Sequence, residues 1–356
     1  MTLIRSRRQF LGTVGAGTAT MALAPWVGLR PALAEDKFTI ASTGGSYNEM
    51  IQAAFVTGKF KEKYGASIAY SMQPESVAVS KSMTQCGNPA FTVSAQADSD
   101  AILLAEGGCL QGYDLDRIPN YKDIVPTAKL GGRKGMDAFW ASFQVICFTL
   151  IWNSKQASKP ESFKELWSEK YKGRVGIPAY GWYGMWWLHA VNKVFGGNED
   201  NITPGMQAAA ELVKKNNAVI IENVDQGMKA FAREEVVIAP FWNGRALTLK
   251  RDGVPVEIAY VPGSIQLGSG FVMLKGTKFQ NEANEFINNS LDPAMQIEMS
   301  RRTGYPPSNR LAKLPADMAH YAIPESDLKN MVALDFDKVN ARRQEYLDRW
   351  NKEVLG

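Results

Sequence analysis

The chain has 356 residues, 45% of them hydrophobic, with 40 Lys and Arg against 36 Asp and Glu, two histidines and three cysteines. Four of the basic residues, Arg5, Arg7, Arg8 and Arg30, fall in the first 34 positions beside no acid, leaving 36 charges of each sign in the rest. A balanced surface without basic runs argues against a nucleic-acid binder, and widely spaced Cys86, Cys109 and Cys147 with His189 and His320 argue against a metal or redox centre.

In chain order, residues 1–34 read as a targeting segment. Arg5, Arg7 and Arg8 precede a mildly apolar stretch that closes in Ala32-Leu33-Ala34. Ser6-Arg7-Arg8-Gln9-Phe10-Leu11-Gly12 resembles a twin-arginine export signal, and removal after Ala34 starts the mature chain at Glu35. A signal anchor is disfavoured because the stretch is short and broken by glycines and Pro25, and no later run approaches the roughly 20 apolar residues a span needs. One disulfide is allowed among the cysteines, with buried free thiols as the preferred reading.

The remainder exceeds what one core usually fills, so two lobes are expected. Residues 37–41 read as a strand, Gly44-Gly45-Ser46-Tyr47 as a loop, 47–64 as one amphipathic helix and 67–70 as a second strand. Strand, glycine loop, helix, strand is an α/β opening, and strand-like runs recur at 175–178, 218–221 and 236–239. The apolar run 144–152 has the character of a buried strand crossing between lobes. From Glu325 the chain is charged and helical and reads as a packed surface appendage.

Several boxes then carry a family resemblance. They are Thr43-Gly44-Gly45-Ser46; Ser162-Phe163-Lys164-Glu165-Leu166-Trp167 followed by Tyr171-Lys172-Gly173; Phe241-Trp242-Asn243-Gly244; and Gly304-Tyr305-Pro306-Pro307-Ser308-Asn309. Together they resemble the spermidine/putrescine-binding family of periplasmic ABC-transporter solute-binding proteins, in its polyamine, GABA and opine branch. The resemblance implies an α/β, two-lobed periplasmic-binding-protein (Venus flytrap) fold with hinge-connected lobes that close on a small ligand. It also implies ABC permease and ATPase partners at the inner membrane, a monomeric periplasmic receptor, and no cofactor, metal or catalysis. The expected division is residues 1–34 as signal peptide, 35–145 and 266–320 as lobe 1, 146–265 as lobe 2, and 321–356 as a C-terminal helical segment.

The first loop offers Thr43, Gly44, Ser46 and Tyr47 at the carboxyl end of a strand, where open α/β sheets bind ligands. A plain βα turn is the alternative. Trp242 follows a strand and, by the resemblance, forms a cleft wall; a core tryptophan is the alternative. Arg245 offers a planar fork suited to a carboxylate. Polyamine binders usually have a small polar residue there and use acids elsewhere. The loop 179–187 contains no acid, and a further family acid aligns near Ser269. In their place stand Tyr180, Trp182 and Tyr183, read toward the cleft, and Trp186 and Trp187, read toward the core. Asp98 is read either as an ammonium acceptor opposite Arg245 or as a helix N-cap. Asn223 and Asp225 share that ambiguity, and Tyr305 is placed at the cleft by its box.

No Gly-x-Ser-x-Gly, His-Glu-x-x-His or P-loop occurs, so chemistry on the ligand is not expected. The leading reading is a receptor for an ω-amino acid, opine or betaine; the alternative is a polyamine held by Asp98, Asp225 and aromatic faces.

Overall fold

The computed structural model describes residues 37–130, 138–181, 185–332 and 334–356. The leader and the candidate site residues Trp182 and Tyr183 lie outside the described residues. Among the described residues no helix is long and apolar enough to cross a membrane.

Strand β1 (Phe38–Ser42) is buried along nearly its whole length and pairs in parallel with β2 (Ile68–Met72) and β3 (Val93–Ala97). Burial on both faces matches the unbroken apolar character of such parallel strands. Between β1 and β2 the expected single helix is interrupted. It runs as Ser46–Phe55 and Gly58–Tyr64, with Thr57 extended and Gly58 at φ 52°. Two β-branched residues followed by a glycine in the left-handed region end the first helix there.

Short β4 (Leu110–Gln111) leads to the longest strand, β5 (Ser142–Asn153), which contains the apolar run 144–152. Beyond it come β6 (Gly176–Pro178), β7 (Val219–Ile221), β8 (Ile238–Trp242), β9 (Val256–Ala259), β10 (Ser264–Leu274) and β11 (Met331–Val332). The main sheet has the order β2-β1-β3-β10-β5-β8, with β4 and β11 added to β10 and β9 to β5, while β6 and β7 form a separate parallel pair. Both long strands change partners along their length. β10 pairs with β5 through Ile265–Gly270 and with β3 through Ser269–Met273; β5 turns to β8 and β9 from Phe148 onward. The register is irregular between Ser269 and Gly270.

Separate hydrophobic centres sit at the two ends of these strands. Around β1 and β3, Phe55, Phe143, Phe271 and Phe286 pack edge to face and stacked, with ring centroids 4.8–6.1 Å apart. Each ring buried in this way contributes roughly 1.5–3 kcal/mol. At the other end Phe163, Trp187, Leu188, Met206 and Leu212 form a second centre, and Ile151, Phe231 and Phe241 a third.

The Trp-Asn-Gly and Gly-Tyr-Pro boxes touch each other. Gly304 ends the helix Pro293–Thr303 in the left-handed region at φ 78°, where glycine is the natural cap. A Cβ there would come within 2.8 Å of the Gly244 carbonyl, and one on Gly244 would meet the Thr303 carbonyl at 2.7 Å and the Tyr305 ring at 2.6 Å. Close backbone approach therefore fixes both glycines.

Two expectations are corrected. Cys86 and Cys109 are not free thiols but a disulfide, with Cα atoms 5.0 Å apart, joining the turn after the helix Glu75–Thr84 to the start of β4; only Cys147 is free and buried. Removing this bridge costs about 2–3 kcal/mol through the closed loop it constrains. The Cys86→Ser/Cys109→Ser double variant should therefore unfold at lower denaturant concentration, and an unchanged midpoint would contradict that contribution.

The C-terminal segment is not a surface appendage either. Tyr346, Trp350 and Val354 are 0–1% exposed and belong to the second hydrophobic centre. The same segment reaches the helix Asp98–Glu106, through Arg343 to Asp100 at 2.8 Å and Asn340 Nδ2 to the Ser99 carbonyl at 3.0 Å.

Candidate ligand-binding cleft

β1 delivers the chain to Ser42, whose hydroxyl donates to Asn48 Oδ1 at 2.8 Å and so ties the strand end to the following helix. Gly45 at φ 70° makes the turn between them. The first turn of the helix then presents Tyr47, which meets residues of both long strands. Gln144 of β5 donates to Tyr47 Oη at 2.7 Å, and Ser269 Oγ of β10 lies 3.1 Å from the same oxygen. Burial raises the Tyr47 phenol well above its ordinary pKa, so it stays protonated and serves as a neutral donor and acceptor.

From the opposite side β8 ends at Trp242, and the helix Asn243–Arg251 carries Arg245 in its first turn. Asn243 anchors this turn by accepting from the Cys147 amide of β5 at 3.0 Å. Arg245 lies over the Tyr305 ring, its Cζ 5.9 Å from the ring centroid. Its Nε is buried without a hydrogen-bond partner among the described residues.

These elements enclose a cavity of about 440 Å³. Of the predicted residues, Thr43, Gly44, Ser46 and Tyr47 line it from one side and Trp242, Arg245, Ser269 and Tyr305 from the others. Apolar faces come from Met50, Ile146, Met228 and Leu267. The volume and the mixture of apolar walls with a few convergent polar groups suit a small organic ligand.

Tyr180 lies apart from that cavity, on a second one of about 820 Å³. Asp98, read as an ammonium acceptor opposite Arg245 or as a helix cap, is not among the residues lining the Arg245 cavity. Its carboxylate turns to backbone, accepting from the Ser99 amide at 2.9 Å and from the Gly268 amide. The carboxylates that line the cavity are Glu75, whose Oε1 accepts from Thr43 Oγ1 at 3.5 Å, and Asp225. Asn223 lines it as well and also caps the helix Val224–Ala232, accepting from the Gln226 amide at 2.9 Å.

Trp186 and Trp187 both pack in the core, as expected, and Trp186 also lines both cavities and meets Trp242 edge to face at 5.4 Å. Gln144 and Glu75 were missed by sequence reasoning. A polar residue opening an otherwise apolar strand was a signal for the first, and a position just beyond the carboxyl end of β2 for the second.

Burial, assisted by the neighbouring Asp100 charge, raises Asp98 to a pKa of about 7, against the lowering effect of its backbone donors. Because its folded pKa lies above the unfolded value near 3.9, the folded protein binds this proton more tightly. The stability it confers is complete below about pH 4 and is lost as pH rises toward 7, by at most about 1.4 kcal/mol per pH unit. Chemical denaturation of Asp98→Asn should show a flatter stability profile between pH 4 and 7 than the parent; parallel profiles would refute the assignment.

His189 sits on the helix Met185–Val194 with both ring nitrogens buried and unpartnered among the described residues, and burial lowers its pKa to about 4. It faces the Tyr346 ring in the core rather than the cavity.

The sequence model of bacterial extracellular solute-binding proteins matches residues 56–325. The chain belongs to this family. Among curated relatives of this solute-binding protein, the spermidine/putrescine-binding periplasmic protein 1 of Haemophilus influenzae is 22% identical over 261 residues, 69% of each chain. Among solved structures, an ABC transporter protein from Clostridium perfringens superposes with a TM-score of 0.72 at 20% identity, covering 89% of this chain and all of the other. A GABA receptor superposes with a TM-score of 0.73 at 21% identity, covering 88% and 96%. The α/β architecture described above is thus the two-lobed fold of periplasmic solute-binding proteins.

Proposed function

We propose that this solute-binding protein captures a small amino carboxylate, of the ω-amino acid, opine or betaine type, and delivers it to the permease and ATPase of an ABC importer. The observation that carries this reading is Arg245, a guanidinium presented to the cavity beside Tyr305, with a buried Nε that has no hydrogen-bond partner among the described residues. Such a donor is costly to leave unmatched, and a ligand carboxylate answers it in its own planar geometry. Glu75 and Asp225 line the same cavity and offer the countercharge for an ammonium group, while Trp186 and Trp242 supply aromatic faces.

The similarity to a GABA receptor supports this ligand class. The arginine-bearing leader in residues 1–34 supports export to the periplasm, where the receptor acts as a monomer without catalysing any reaction. In this reading β5 and β10 are the hinge strands between lobe 1 (35–145 and 266–320) and lobe 2 (146–265). A ligand that touches both sides favours the closed form by its differential affinity, and the permease reads that form.

Polyamine binding is the second reading, favoured by the Haemophilus influenzae relative and by the two cavity carboxylates. Thermal-shift screening of residues 35–356 followed by calorimetry separates the two. Stabilisation by 4-aminobutanoate or another amino carboxylate, but not by putrescine or spermidine, is the expected result; stabilisation by polyamines alone would overturn it.

A further inference from the structure

The larger cavity, of about 820 Å³, neighbours the Arg245 cavity and shares lining with it. Thr43, Gly44, Glu75, Trp186 and Asn223 line both. A four-carbon amino acid anchored at Arg245 would leave the larger space unfilled, and its volume is itself that of a site for a sizeable ligand.

One polar group in it is conspicuously unsatisfied. Tyr180 is 4% exposed, lines this cavity, and its hydroxyl has no hydrogen-bond partner among the described residues. Buried hydroxyls are ordinarily paired, so this oxygen marks where a ligand group belongs. The charges lining the cavity specify which group. Arg343, which pairs with Asp100 at 2.8 Å and also acts on Tyr180 and Glu75, is outnumbered by Asp100, Glu75 and Glu222, so the balance of the lining is negative. Met185, Trp186, Leu347 and Trp350 give the larger cavity apolar lining suited to a methylene chain. Five of the lining residues, Arg343, Leu347, Trp350, Asn351 and Leu355, come from the C-terminal segment, whose Trp350 packs in the core.

We propose that the larger cavity is a second binding chamber, receiving the cationic far end of an elongated ω-amino or ω-guanidino carboxylate whose acid group is held at Arg245. This rests on the amino-carboxylate reading of the Arg245 cavity and extends it from ligand class to ligand length and orientation. The Tyr180 hydroxyl accepts from the ligand cation, Glu75 and Glu222 balance its charge, and the Tyr180 and Trp350 rings, 6.0 Å apart, cover one side.

Calorimetry on residues 35–356 with 4-aminobutanoate, 6-aminohexanoate, 8-aminooctanoate and 1,8-diaminooctane tests this. Affinity is expected to rise with chain length among the amino acids, and the diamine is expected to bind at least tenfold more weakly than 8-aminooctanoate. In Tyr180→Phe and in Glu222→Gln the preference for 8-aminooctanoate over 4-aminobutanoate should fall about tenfold, the usual loss for one hydrogen bond or charge contact to an ion. Binding of 4-aminobutanoate that weakens steadily as the chain lengthens would overturn the second chamber while leaving the Arg245 site intact. Unchanged length preference in both variants would do the same. Failure of every amino carboxylate to bind would overturn both readings, and a diamine as tight as 8-aminooctanoate would overturn the orientation.

Discussion

Replacing Arg245 by Ala is expected to weaken binding of an amino carboxylate by about 2–4 kcal/mol, on the order of thirty- to several-hundred-fold in Kd. The loss combines two effects: the charge-assisted hydrogen bonds disappear, and the ligand carboxylate is left in a partly desolvated cavity without a partner. A polyamine, which has no carboxylate, should bind the variant at least as well as the parent, because a like charge has been removed. Arg245→Lys should recover only part of the loss, since an ammonium is a point charge and does not match the carboxylate with a planar fork. The fold should survive, because what Arg245 gives up within the protein is its contact with Tyr305, over whose ring it lies at 5.9 Å and to whose side chain it hydrogen-bonds, worth about 1–2 kcal/mol. Calorimetric titration of parent and variants with both ligand classes decides the matter. Equal losses for carboxylate and polyamine ligands would mean that Arg245 acts on the shape of the cavity rather than on ligand charge.

Trp350→Ala is expected to destabilise the protein by about 3–5 kcal/mol, the range for truncating a large buried aromatic. Trp350 is 1% exposed and lies between the Tyr180 and Trp187 rings, at 6.0 and 6.1 Å. Its loss opens a hole where the C-terminal helical turn docks against the helix Thr203–Lys214. Denaturant titration would register the change as a lowered midpoint. A loss below about 1 kcal/mol would show that the segment is an appendage after all. The same variant should also reduce affinity for long amino carboxylates more than for short ones, since Trp350 lines only the larger cavity.

Much of the fold was legible because it follows from local pattern. The continuous apolar run became the long buried strand β5, and the glycine-rich turn after β1 became one edge of the cavity. Eight of the candidate ligand residues meet in one cavity, and six of them, Thr43, Gly44, Ser46, Tyr47, Trp242 and Arg245, sit at or just after strand ends or in first helical turns, which sequence can locate. The misreadings share a different cause. Asp98 also stands at a strand end, yet its carboxylate turns away to the Gly268 and Ser99 amides, a choice made by the neighbouring strand β10. The charged surface of the C-terminal segment hid the spacing of Tyr346, Trp350 and Val354, which puts all three on one helical face.

The sequence by itself determined the α/β class, the long buried strand, the balanced charge and the family boxes, because periodicity, composition and short motifs are properties of neighbouring residues. Only the tertiary structure decided the rest. It paired Cys86 with Cys109 across 23 positions, joined Gln144, Tyr47 and Ser269 from three separate elements, and set Glu75 and Asp225 rather than Asp98 on the wall that carries Arg245. It also made the C-terminal segment part of the larger cavity. Each of these depends on which distant surfaces bury one another, and that is fixed by packing of the whole chain rather than by any local pattern.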